Sequence, residues 1–241
     1  MRPPRASVVI PALNEERCIG GLLADLTTGR AGRPPGEVLV VDAGSADGTA
    51  EVARGFTGVR VLRGEPPPAK GRNLGAAAAS GDLLVFLDAD VRLEEGFLDR
   101  FVEEISRRRL DVACPRYLPP PGASPGVRAA HACFNGLFRL CRRVLPSGAG
   151  HCIAVRRQVF LEGGGFDPAL KFDDVELVRR LARGRRFGIT GQSVLVSDRR
   201  YREEGTLRTF LRYLLISLPF ALGRFRWANR LDYPFGRHRL S

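Results

Sequence analysis

Asp88 and Asp90 follow directly on the apolar run Leu83-Leu84-Val85-Phe86-Leu87. In extended backbone, residues two apart point the same way, so both carboxylates aim in one direction. Two such acids repel one another unless a cation neutralises them; the alternative is an acidic turn that caps the next helix. A hard divalent ion, Mg²⁺ or Mn²⁺, answers the charge and keeps positions open for phosphate oxygens. Asp42 ends a second apolar run, Val38 to Val41. Pro11, Ala12, Asn14 and Glu15 close a third, over residues 6–11.

Two further clusters carry charge where chemistry could use it. Lys70-Gly71-Arg72-Asn73 opens a helix-like stretch. Small residues and a helix N-terminus admit an anion there, while a solvated first turn explains the same residues equally well. Gly163-Gly164-Gly165-Phe166-Asp167 precedes Phe172-Asp173-Asp174-Val175-Glu176-Leu177. Asp174 would start a helix whose Leu177 and Leu181 face inward. Its carboxylate can cap that helix or take a proton from a hydroxyl. Asp173 and Glu176 beside it would raise its pKa, which suits a base.

The elements that must position these residues alternate in the first half. Strands are expected over 6–11, 38–41, 59–62 and 83–87. Asn14 is a candidate cap for a helix that buries Ile19, Leu22, Leu23 and Leu26. A helix over about 69–80 and another burying Phe97, Phe101, Val102 and Ile105 complete the alternation. This pattern predicts an α/β fold, a mostly parallel central sheet with helices on both faces. In such sheets ligands sit beyond the carboxyl ends of the strands, so the three acidic and polar clusters can meet in one crevice. The second half is less regular, with helices expected over 126–144 and 173–184 and a strand over 151–156. The organisation expected is residues 1–110, 111–204 and a basic amphipathic tail 205–241, with the first two parts in one compact domain.

The chain of 241 residues carries a net charge of +12. The positive charge is spread along the chain, which points to anionic small molecules and an anionic membrane surface and away from nucleic acid. Five cysteines without a CxxC argue against a disulfide framework or zinc knuckle and suit a cytoplasmic location. The apolar run after Met1 is too short for a signal peptide core. No GxGxxG follows the first strand, and GxxxxGK[ST] and GxSxG are absent, which removes dinucleotide, P-loop and α/β-hydrolase sites. His131, His151 and His238 stand isolated and read as structural.

Taken together, these residues resemble glycosyltransferase family 2, with its GT-A fold. The resemblance rests on Ser7 to Glu16, Val41 to Thr49, Lys70 to Ala76, Leu87 to Asp90, and Gly164 through Asp174, in order and spacing. It covers about residues 6–200 and divides them into a nucleotide-binding half and a smaller acceptor-side half. It implies that Pro11, Ala12, Asn14, Glu15 and Asp42 hold the base and ribose of a nucleotide. Lys70 and Arg72 would lie near its diphosphate. Asp88 would touch nucleotide and metal, with Asp90 the direct metal ligand. Asp174 resembles the catalytic base of inverting members, and Gly150, His151, Arg156 and Asp173 lie where the donor-sugar and acceptor pocket forms. The implied reaction is one in-line displacement that moves a sugar from a nucleoside-diphosphate sugar onto an unidentified acceptor, with Mg²⁺ or Mn²⁺ assisting.

The chain also departs from the family. Ala43 stands where a second acid is common. Many members carry a later histidine on the metal, whereas the comparable stretch here reads Val196-Ser197-Asp198-Arg199-Arg200. Gly223 replaces the Gln of QxxRW, so one sugar per cycle is expected. The tail from Thr206 to Trp227 mixes apolar residues with Arg208, Arg212, Arg224 and Arg226. It would lie on the inner face of the cell membrane, or pack on the core or on a second copy in a homo-oligomer. A surface location makes a lipid-linked acceptor attractive, polyprenyl phosphate included. A nucleotidyltransferase and a silent nucleotide-sugar binder are the competing functions.

Overall fold

A computed structural model describes residues 4–221, 223 and 225–229. The strands are β1 (Ala6–Ala12), β2 (Glu37–Asp42), β3 (Val59–Arg63), β4 (Leu83–Leu87), β5 (Arg92–Leu93), β6 (Val112–Leu118), β7 (Cys152–Arg156) and β8 (Phe187–Leu195). The helices are α1 (Glu16–Thr27), α2 (Thr49–Arg54), α3 (Pro68–Ala78), α4 (Phe97–Arg107), α5 (Pro125–Cys141), α6 (Arg157–Glu162), α7 (Asp173–Leu181), α8 (Arg199–Glu204), α9 (Thr206–Ala221) and α10 (Phe225–Ala228). One mixed sheet runs in the order β3-β2-β1-β4-β7-β6-β8-β5 and is flanked by helices.

β3, β2, β1 and β4 are mutually parallel. The apolar runs of β2, β1 and β4 are buried, as strands covered on both faces require, while β3 at the sheet edge is only half-buried. α1 buries Ile19, Leu22, Leu23 and Leu26, and α4 buries Phe97, Phe101, Val102 and Ile105, the faces their spacing specified. α3 lies against β1 so closely that a Cβ on Gly75 would come 2.4 Å from a Val9 methyl. That contact requires glycine there.

β7 turns the direction of the sheet. It pairs antiparallel with β4 on one side and β6 on the other. β6 and β8 escape a sequence pattern: β6 carries Pro115 at an irregularity in its ladder, and β8 contains Gly188, Gly191 and Gln192. The sheet crosses residue 110, since β4 pairs with β7 and β5 with β8. A single apolar core draws on both sides of that position. Phe86 of β4 meets Phe160 at 5.2 Å and Phe166 at 4.9 Å between ring centroids.

α9 divides its faces. Thr209, Ile216 and Phe220 are buried against the body of the protein, while Leu207, Leu211, Leu214 and Leu215 are exposed. No helix among the described residues is long and apolar enough to cross a membrane. Arg224 and His238 lie outside the described residues, as does the tail beyond residue 229.

Candidate active site

The loops after β1 and β2 are tied together at the carboxyl ends of the strands. Asn14 sits at φ 56°, a left-handed conformation that Asn tolerates better than most residues. It does not cap α1. Its side chain instead accepts from the Ala46 N–H at 2.8 Å, and its own N–H donates to Ser45 Oγ at 2.9 Å. Glu15 takes the cap position, and its N–H donates to Thr49 Oγ1 at 2.8 Å. Asp42 accepts from the Ser45 N–H at 3.2 Å. β1 lies between β2 and β4, so Asp42 stands about two strand spacings, ~10 Å, from the end of β4. Burial and the nearby Asp90 push the Glu15 carboxyl up to about 8.

The register of β4 against β7 builds the centre. Leu87 lies opposite Cys152, so Asp88 and His151 leave the sheet side by side, and the Asp88 N–H donates to the His151 carbonyl at 3.3 Å. Asp88, Asp90 and His151 each present a ligand atom, all within 4.8 Å of one another. His151 Nδ1 lies 3.2 Å from Asp88 Oδ2, yet this buried nitrogen makes no aligned hydrogen bond. Two carboxylates and an imidazole lone pair aimed together fit Mn²⁺ or Mg²⁺. His151 is therefore not isolated, as the sequence suggested, and it could supply the third ligand type that residues 196–200 lack. Asp198 in that stretch pairs with Arg202 at 3.0 Å. His131 does sit structurally, its Nδ1 3.1 Å from the Tyr117 carbonyl.

Arg72 is committed to carboxylates. Its buried guanidinium donates to Asp88 at 2.8 Å and Asp173 at 2.9 Å, and lies 5.2 Å from the Phe166 ring centroid. It is thus a bridge between α3, β4 and α7. Burial works against the charged Asp88, but Arg72 and His151 outweigh it and hold the carboxyl well below the usual range. Lys70 stays at the rim, half exposed and paired with Glu65 at 3.1 Å.

α7 begins with Asp173 and Asp174. Asp174 Oδ2 accepts from the Gly150 N–H at 2.5 Å. A Cβ on Gly150 would come 2.9 Å from that oxygen and 3.1 Å from an Arg72 nitrogen, so only glycine permits the approach. Burial raises the Asp174 carboxyl, Arg72 opposes, and Asp88 adds to the rise. Asp173 is pushed up to about 6 by burial and by Asp174, against the pull of Arg72. Glu176 contributes differently from expectation, because it is turned to Arg180 at 2.7 Å.

Arg156 does not join the site. It lies opposite Leu83 at the far end of β7, ~13 Å from the His151 end, and its Nε donates to the Leu110 carbonyl at 3.1 Å. Sequence reasoning also missed Asn73. Its amide donates to the Phe166 carbonyl at 2.8 Å and accepts from the Phe166 N–H at 2.9 Å. That clamp joins the middle of α3 to the glycine run before α7; only adjacency to Arg72 could have suggested it.

A sheet that brings a carboxylate pair and an imidazole to its strand ends, beside a buried carboxylate, is the architecture of a GT-A enzyme. Residues 7–164 match the family model described as Glycosyl transferase family 2, and the chain belongs to that family. The glycosyltransferase AglE of Haloferax volcanii is 36% identical over 115 residues, 45% of this chain and 38% of that protein. The chain thus spans about two fifths of that curated relative. A mannosyltransferase from Pyrobaculum calidifontis, solved with GDP-Man and Mn²⁺, superimposes with a TM-score of 0.66 at 18% identity, covering 97% of this chain and 77% of that one. Glucosyl-3-phosphoglycerate synthase from Mycobacterium tuberculosis, solved with Mn²⁺, UDP and glucosyl-3-phosphoglycerate, gives 0.63 at 22% identity, covering 91% and 80%.

Proposed function

We infer that the protein is an inverting, nonprocessive glycosyltransferase that moves one sugar from a nucleoside-diphosphate sugar to an acceptor. The observation that carries this is the Asp88, Asp90 and His151 group at the end of β4, beside the buried Asp174. Asp88, Asp90 and His151 would hold Mn²⁺ or Mg²⁺. Such an ion, when bound, acts as a Lewis acid toward the departing diphosphate.

The rest of the work falls to side chains. Pro11, Ala12, Asn14, Glu15 and Asp42 line the strand ends where the base and ribose would rest. Arg72 fixes Asp88 and Asp173, and so keeps two acids in place beside a third. Asp174, oriented by the Gly150 N–H, takes the proton of an acceptor hydroxyl as that oxygen attacks the anomeric carbon. One displacement inverts the configuration. The exposed leucines of α9 favour an acceptor presented at a lipid surface. If that acceptor is a polyprenyl phosphate, its oxygen is already ionised and transfer survives Asp174→Asn.

The test is a thermal-shift screen of UDP-, GDP-, ADP- and dTDP-sugars with and without Mn²⁺, followed by assay of nucleoside diphosphate release. A binder of the native state raises Tm by linkage, so one donor should stand out and depend on Mn²⁺. Pyrophosphate release from a nucleoside triphosphate, with no metal-dependent donor binding, would replace this function with nucleotidyl transfer.

A further inference from the structure

The segment after α5 and the end of α7 enclose a surface cavity of about 430 Å³ that has no part in the centre described above. Arg143, Arg179 and Arg183 line it, together with Val144 and Pro146, and no Asp or Glu does. Among the described residues, none of the three arginines forms an ion pair with a carboxylate. Four residues beyond Pro146, Gly150 holds Asp174, so the loop 146–150 runs from this cavity to the metal centre.

Arg179 is the decisive residue. Its side chain is 8% exposed, yet its partners among the described residues are all neutral. One terminal nitrogen donates to Ser147 Oγ at 3.1 Å and the other to the Phe220 carbonyl. The Phe225 ring centroid lies 5.5 Å from the guanidinium carbon, and the buried Nε has no partner among the described residues. Arg72, the other deeply buried arginine of α3 and α7, has two carboxylates. A buried guanidinium without an anion is costly, and two exposed arginines beside it add to the unanswered charge. The fork geometry of guanidinium suits a tetrahedral oxyanion, whose several oxygens can accept from more than one arginine at once.

We propose that this cavity binds a phosphate group, as a site separate from the metal centre. The phosphate belongs either to a soluble phosphorylated compound or to the headgroup of an anionic lipid. Val144, which lines the cavity, is more than four-fifths exposed, as is Leu140 four residues before it, so apolar side chains accompany the arginines as a lipid headgroup would require.

The experiment uses the full chain and inorganic phosphate, by calorimetric titration without divalent metal, on wild type, Arg143→Ala/Arg183→Ala and Asp90→Asn. Both substituted arginines are exposed, and circular dichroism checks that the double variant is folded. Phosphate should bind wild type and Asp90→Asn alike, and the double variant about tenfold more weakly or worse. Equal binding by the double variant, loss in Asp90→Asn, or no binding by wild type each overturns the site. A second arm sediments the protein with phosphatidylcholine vesicles with and without phosphatidylglycerol. Sedimentation on phosphatidylglycerol that the double variant loses identifies the lipid headgroup as the source. Absence of sedimentation, or sedimentation the double variant keeps, assigns the cavity to soluble phosphate.

Discussion

The two sides of the centre are built by different means. On the proposed donor side, β3, β2, β1 and β4 run parallel, and β1, β2 and β4 each deliver polar residues where an apolar strand stops. On the other side, His151 and Gly150 come from a loop before an antiparallel strand, and Asp173 and Asp174 from the first turn of a helix. The first arrangement depends on local pattern and the second on pairing between distant segments. A site can therefore be rigid on one flank and rest, on the other, on a few specific bonds. Arg72 is the chief of these, since it donates to Asp88 on one side and Asp173 on the other.

Substitutions can break that contrast, and the largest effect should come from the donor side. Asp90→Asn removes a ligand and a charge, and Mn²⁺-stimulated donor turnover should drop by about 10³-fold or more in a steady-state assay. On the opposite flank, Asp174→Asn should lower kcat by about 10²–10⁴-fold with a hydroxyl acceptor while donor KM stays near wild type. As the proposed base, Asp174 would act deprotonated, and burial raises its pKa, so wild-type activity should fall as pH drops through that raised value. The variant's residual rate should lose this acid limb.

The link between the flanks is tested by Arg72→Ala. It strands two carboxylates in a buried setting and should cost about 3–5 kcal/mol of stability by denaturant unfolding. An effect on one flank alone would show that Arg72 does not join them. His151→Ala should weaken Mn²⁺ binding by about 10–100-fold, measured by titration calorimetry, because the carboxylates remain. Equal Mn²⁺ affinity would remove the second half from the metal site. The smallest change belongs to Glu15→Gln. Glu15 is held protonated to about pH 8 in the fold, so ionisation is disfavoured between its ordinary value of 4.5 and about 8. Wild type should lose stability relative to the variant as pH rises across that window, and no further above it; thermal melts at stepped pH would show this.

How much was visible in advance differs between the flanks in the same way. The four parallel strands, the inward faces of α1 and α4, and the place of Asp42, Asp88 and Asp90 at strand ends followed from apolar runs and spacing. Asn14 was visible as a candidate position, but its left-handed backbone and its bond to the Ala46 N–H were not, because that partner comes from the β2 loop. β6 and β8 were missed because proline, glycine and polar residues interrupt their alternation.

By itself, the order of residues determined which segments are buried strands and amphipathic helices, and that carboxylates follow those strands. These are local consequences of side-chain period and apolar content, which neighbouring residues settle among themselves. Only the tertiary structure decided that His151 stands beside Asp88, that Arg72 bridges two acids, and that Arg156 points away. Each of those depends on register between segments dozens of residues apart. Register is set by the packing of the whole sheet, which no short window of sequence contains.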